Sequence, residues 1–327
     1  MIAVREWAYE VNDRWEQLPA GLSHLDVTDV AVDSQDRVYL FTRQDFRVLV
    51  YESDGSYVGK WGDGVFSNSH GITIGPDDAV YCVDNGDHSV RKFTLDGELL
   101  MTLGTPGQPS DTGYDGRDVE TVVRGAPPFN RCTNLAVAAN GDLYVSDGYG
   151  NARVHHFSAE GKLLRSWGEP GVGPGQFYLP HGIWVAPDGR VLVADRENDR
   201  LQFFSPDGEY LDEWTDVQRP CAIKIDREGL VYVAELGVRP GRKSFVHGVA
   251  TEERPGRVSI FDLSGTLVAR WGDLDVCAPG NFVAPHGLCL DSRGDLYVAE
   301  VTWTIAGRHG LVPPDCHQIQ KFTRKAR

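Results

Sequence analysis

The chain has 327 residues, 41% of them hydrophobic, with 37 glycines and 18 prolines, a composition of folded, turn-rich globular proteins and not of disordered or fibrous ones. A formal net charge of -15 without any basic run excludes a nucleic-acid backbone as partner, and the absence of any run approaching about 18 consecutive apolar residues excludes a membrane span. The opening MIAVREWAYEVNDRW lacks the apolar core of a signal peptide, and the six cysteines at 82, 132, 221, 277, 289 and 316 form no CxxC pair, so a soluble, cytoplasmic protein with reduced thiols is expected.

Along the chain one unit recurs: an alternating apolar run, a DG-type turn, a second run ending in an acid, then two further runs around another turn. GITIGPDDAVYCVD, GIWVAPDGRVLVAD and GLCLDSRGDLYVAE show its first half, and VRKFTLDGELLMTLG, VHHFSAEGKLLRSWG and LQFFSPDGEYLDEW its second. Period-2 alternation between such turns predicts four short antiparallel strands per unit. The second strands align on Tyr39, Tyr81, Tyr144, Leu192, Tyr232 and Tyr297. Six units imply a six-bladed β-propeller, all-β with four-stranded antiparallel blades, occupying residues 1–327 as a single domain. The last unit lacks a strand after QIQKFTRK, and the segment from Trp7 to Trp15 is expected to supply it. Extra residues near 104–131, 237–256 and 302–317 are read as loops that build or cover a site.

Eleven residues before each aligned second-strand position stand Thr28, His70, Thr133, His181, Cys221 and His286. Inner-strand residues at one register ring the axis of a propeller, so histidines in alternate blades offer a trigonal face to one metal ion. Three imidazoles without a carboxylate suit Zn2+, with Fe2+ or another divalent ion as the alternative, and fit Ca2+ poorly. Fifteen residues beyond the ring stand Arg43, Asn85, Gly148, Arg196, Leu236 and Val301, with Tyr149 following Gly148. Two guanidinium groups can clamp a carboxylate, and a tyrosine beside a dication can act as a base. Cys221 in the ring, and His247, His309 and His317 in the insertions, are read as ordinary residues.

On these residues the chain resembles the peptidyl-α-hydroxyglycine α-amidating lyases, most specifically in VSDGYGNARVHHFSAEGKLLRSWGE, LPHGIWVAPDGRVLVADRENDRLQFF, SHGI and APHGL. The resemblance implies zinc on His70, His181 and His286, a catalytic Tyr149 in SDGY, and carboxylate-holding Arg43 and Arg196. It implies a zinc-dependent carbon–nitrogen lyase that splits an N-acyl-α-hydroxyglycine, a carbinolamide, into an amide and glyoxylate. Three positions depart from the family pattern: Gly150 replaces a disulfide-forming cysteine, Ala284 a methionine, and Gly287 an aspartate that helps hold a structural calcium. Structural Ca2+ is therefore not expected. Without a fused monooxygenase domain or a secretion signal, a small carboxylate-bearing metabolite is the expected substrate in place of a peptide hormone. The competing readings are a lactonase-like propeller hydrolase and a non-catalytic NHL-repeat scaffold that binds a protein; the ring lacks the carboxylate ligands of the first, and the acidity of the chain argues against an RNA-binding form of the second.

Overall fold

The computed structural model describes residues 1–45 and 47–326. Six antiparallel sheets follow one another in sequence; the first five are built from inner to outer strand in chain order, and the last takes its outer strands from the start of the chain. Their inner strands are Val27–Val32, Ser69–Ile74, Cys132–Val137, Pro180–Val185, Pro220–Ile225 and Pro285–Leu290. The sheets are the six four-stranded blades of a β-propeller.

The blade repeat has a local cause. The aromatic of the second strand reaches back to an aspartate that closes the turn after the inner strand: Tyr39 Oη donates to Asp33 Oδ2 at 3.1 Å, Tyr232 to Asp226 at 3.2 Å and Tyr297 to Asp291 at 3.3 Å. The acid that ends the second strand captures the chain entering its own blade. Asp84 accepts from the amides of Ser67 and Asn68, Asp147 from Asn130, Asp195 from Tyr178 and Glu300 from Val283 and Ala284. These buried carboxylates satisfy amides that no ladder serves. The alternating tyrosine and acid of the sequence are therefore structural.

The chain divides into two compact units. One comprises residues 66–223 and 243–249 and holds blades two, three and four with the opening of the fifth inner strand. Its core lies between adjacent blades: Tyr81, Val83 and Phe129 pack with Leu135, Val145 and Phe157, and Tyr144 and Val154 with Phe177, Ile183, Val193 and Phe204. The other comprises residues 1–65, 224–242 and 250–327. There Trp15, Val30, Leu40 and Tyr51 pack with Tyr297, Ala299 and Ile319. Its last sheet is completed as expected, because Trp7–Asn12 pairs antiparallel with residues 321–326, and Ile2–Val4 adds a fifth strand outside it.

Two expectations need correction. Cys277 and Cys316, separated by 39 residues with Cα atoms 5.3 Å apart, form a disulfide; Cys82, Cys132, Cys221 and Cys289 remain free. The pair was illegible because both cysteines lie outside the repeat, where spacing carries no register. The insertions are also not wholly loops. A 3-10 turn spans Val119–Thr121, Lys243–Ser244 pairs with Gly248–Val249, and the last insertion carries a helical turn, Thr302–Ile305, followed by a 3-10 turn at Gly307–His309. Among the described residues no helix is long and apolar enough to cross a membrane.

Candidate active site

Each ring residue is the second of its inner strand. In five blades the register against the second strand slips at that residue, between Val27 and Asp29, Ser69 and Gly71, Cys132 and Asn134, Pro180 and Ile183, and Pro285 and Gly287. A bulge leaves its residue outside the ladder and re-aims its side chain. The three histidines thus share one backbone device.

They also share one hydrogen bond. His70 Nδ1 lies 2.6 Å from the Thr133 carbonyl, His181 Nδ1 2.8 Å from that of Cys221 and His286 Nδ1 2.6 Å from that of Thr28. In each case the acceptor is the ring residue of the next blade. A carbonyl only accepts, so Nδ1 carries the proton and Nε2 keeps its lone pair, the tautomer of a metal-ligating histidine. All three side chains are buried, and neutral imidazoles suit such a site without the desolvation cost of charge.

The glycine after each histidine makes the bond possible. A Cβ at Gly71 would lie 2.8 Å from the Thr133 carbonyl oxygen, one at Gly182 2.5 Å from that of Cys221, and one at Gly287 2.6 Å from the Asp29 Cα. The neighbouring inner strand comes this close only because there is no side chain between. The aspartate of the amidating-lyase pattern at position 287 is therefore sterically barred here.

Tyr149 sits on a tight passage between two glycines. A Cβ on Gly148 would lie 2.2 Å from the Pro180 carbonyl oxygen, and one on Gly150 2.3 Å from Asn130 Oδ1. Asn130 fills the place of the cysteine in the family pattern. The Tyr149 hydroxyl is 3.3 Å from His70 Nε2, 3.5 Å from His181 Nε2 and 3.1 Å from Arg196 Nη1. Arg196 opens a 3-10 turn, Arg196–Asn198, directly after its second strand, and its Nε donates to Glu197 at 2.9 Å. Burial works against its charge, but Tyr149 and Glu197 outweigh it and hold the guanidinium above its usual range. Cys221 is fully buried beside Arg196, and burial raises its thiol to about 11. It is a protonated packing residue whose carbonyl, not its sulfur, serves the site.

In the other unit, Arg43 donates from Nη1 to Asp26 Oδ2 at 3.1 Å and to Thr304 Oγ1 at 2.9 Å. Thr304, on the helical turn of the last insertion, also binds Asp26 through its amide at 3.0 Å. Asp26 and Thr304 carry no signal in the repeat and were not anticipated. His317 pairs with Glu300 and serves the same unit structurally.

A further arginine of the first unit, Arg131, meets Tyr149 through its backbone. Arg131 precedes the third inner strand with φ of 65°, a left-handed conformation uncommon for a side-chain-bearing residue. Its amide donates to His88 Nδ1 at 3.0 Å, its carbonyl accepts from Asn85 Nδ2 at 3.1 Å and from the Tyr149 amide at 3.4 Å, and its Nε donates to Asn85 Oδ1 at 3.3 Å.

The solved structure of streptogramin B lyase superposes with a TM-score of 0.61 over 99% of this chain and 100% of that chain at 14% identity, a likeness of fold alone. An NHL repeat matches residues 129–157 and 177–204. NHL repeat-containing protein 3 of Mus musculus is 32% identical over 290 residues, 83% of this chain and 76% of that protein. Peptidyl-alpha-hydroxyglycine alpha-amidating lyase 1 of Drosophila melanogaster is 32% identical over 267 residues, covering 74% of this chain and 44% of its own length. The chain belongs to the NHL-repeat family, and it spans less than half of the Drosophila lyase it resembles.

Proposed function

We propose that the protein is a metal-dependent carbon–nitrogen lyase acting on an N-acyl-α-hydroxyglycine or a related carbinolamide, with His70, His181 and His286 holding one divalent ion, Zn2+ or Fe2+. The observation that carries this reading is the Tyr149 hydroxyl within hydrogen-bond reach of two Nε2 atoms and of Arg196. His70 and His181 bring their Nε2 atoms to one phenol oxygen within a single unit, and His286 repeats their local geometry in the other unit. Their shared bulge and shared Nδ1 bond support a common role, and the 32% identity to a named amidating lyase supports the reaction class.

A bound dication supplies Lewis-acid polarisation of substrate oxygens. The protein's own groups do the proton work. Tyr149, acting as the phenolate, takes the proton of the substrate hydroxyl on its Oη as the carbonyl of glyoxylate forms, the C–N bond breaks, and its electron pair leaves on the amide nitrogen. The proton passes from Tyr149 to that nitrogen, releasing the primary amide with no net change in protons. Arg196, donating to that oxygen, stabilises the phenolate before it takes the proton and after it gives it up, and holds the carboxylate on the reacting carbon. Arg43, already bound to Asp26, supports binding more as a fixed dipole than as a free cation. The disulfide favours an oxidising compartment over the cytoplasm.

Metal per chain by elemental analysis, beside glyoxylate release from a panel of N-acyl-α-hydroxyglycines, tests the proposal. About one zinc or iron per chain is expected, lost in His181→Ala, and Tyr149→Phe is expected to keep the metal while slowing turnover about 10²- to 10⁴-fold. A metal-loaded protein inert on every member of the panel would refute it.

A further inference from the structure

The arginines around Tyr149 differ in what neutralises them. Arg196 is paired with Glu197 at 2.9 Å and with the phenol. Arg131 has no acid: among the described residues no carboxylate oxygen lies within 4.0 Å of its guanidinium. Its neighbours are the amide oxygen of Asn85 and the hydroxyl of Tyr114, which burial holds above the ordinary phenol range, and therefore neutral, against the opposing pull of Arg131 itself. The imidazole of His88 is likewise held neutral, its affinity for a proton lowered by burial.

The guanidinium is half-buried, so it lacks full hydration as well as a counterion. Such a charge is costly unless an anion arrives. Its backbone is committed on both sides, to His88, Asn85 and Tyr149, and its side chain is steered by Asn85 and by Tyr114 of the 104–131 insertion. A rigidly presented fork of N–H donors with only neutral partners is a receptor for a carboxylate.

We propose that Arg131 is a specificity-determining residue that binds a second anionic group, carried by the acyl part of the substrate. This rests on the lyase reading above. There Arg196 lies at the phenol oxygen and so beside the reacting carbon and the carboxylate attached to it. A further cation without an acid then calls for a further anion. Substrates with an acidic acyl group, such as an N-succinyl-α-hydroxyglycine, are preferred over neutral ones such as N-acetyl-α-hydroxyglycine.

The test is the ratio of kcat/KM for N-succinyl- over N-acetyl-α-hydroxyglycine in the metal-loaded wild type, Arg131→Gln and Arg131→Lys. A charge-assisted pair predicts a wild-type ratio of at least about 10, lost in Arg131→Gln and partly kept in Arg131→Lys. A wild-type ratio near one, or an unchanged ratio in Arg131→Gln, overturns the assignment. If neither compound is turned over, the lyase reading fails while Arg131 is still decided by calorimetric binding of the inert pair N-succinylglycine and N-acetylglycine. A wild-type preference for the former that Arg131→Gln abolishes upholds the anion site, and equal affinities overturn it.

Discussion

A side chain at position 287 would have to share space with Asp29, whose Oδ1 would lie 2.3 Å from the added Cβ. Gly287→Asp would force the Thr28–Asp29 backbone away from His286 and set two carboxylates against each other. A loss of about 2–4 kcal/mol in urea denaturation is expected, as for other overpacked buried positions with an added unpaired charge. Gly287→Ala should lose less, because it adds the clash without the charge. The register of the ring histidines is legible in the sequence because the blade repeat keeps a strict eleven-residue step from each aligned second-strand residue, five tyrosines and Leu192, back to its ring position. Arg131 is not, because what distinguishes it is the lack of an acid in three dimensions, and its partners Asn85 and Tyr114 come from separate segments. Arg43 is found by the same fifteen-residue step, but its contacts with Asp26 and Thr304 are not, because Thr304 comes from a segment with no repeat to align.

At the scale of single elements, the 302–317 insertion is the part most tightly governed by contacts outside the repeat. The Cys277–Cys316 bridge ties its end to the segment preceding the last inner strand. Closing a loop of 39 residues restricts the unfolded chain, and reduction or Cys316→Ser should cost about 2–4 kcal/mol in thermal or denaturant unfolding. Unchanged stability would mean the insertion is held by its other contacts, such as Thr304 with Asp26. Next to the bridge, His317 Nδ1 lies 2.8 Å from Glu300 Oε1. Burial opposes the imidazolium, but Glu300 outweighs it and the folded pKa is raised. A raised histidine contributes stability in full below its unfolded value of about 6.5, and the contribution is lost as pH rises through the folded value. The melting temperature should therefore fall as pH rises above about 6.5, and His317→Gln should remove that component of the slope. The insertions are not plain loops, and the sequence does not reveal it, since turns as short as Thr302–Ile305 leave no helical periodicity to detect.

At the scale of the whole molecule, the last blade draws its outer strands from the opposite end of the chain. Deleting residues 1–12 should leave residues 321–326 as an unpaired edge and remove Tyr9, which is buried among Trp7, Trp271 and Phe322. A lower unfolding midpoint and concentration-dependent association are expected, read by calorimetry and light scattering. The same pairing sets a clock. Residues 7–12 emerge from the ribosome long before residues 321–326, a wait on the order of tens of seconds at ordinary rates of synthesis. Throughout it, a short apolar strand must stay out of other sheets, while the inner blades are free to fold as they appear. The last blade to be completed is thus the one whose outer strand is made long before its inner ones, and a nascent chain stalled before residue 321 would carry that strand unpaired.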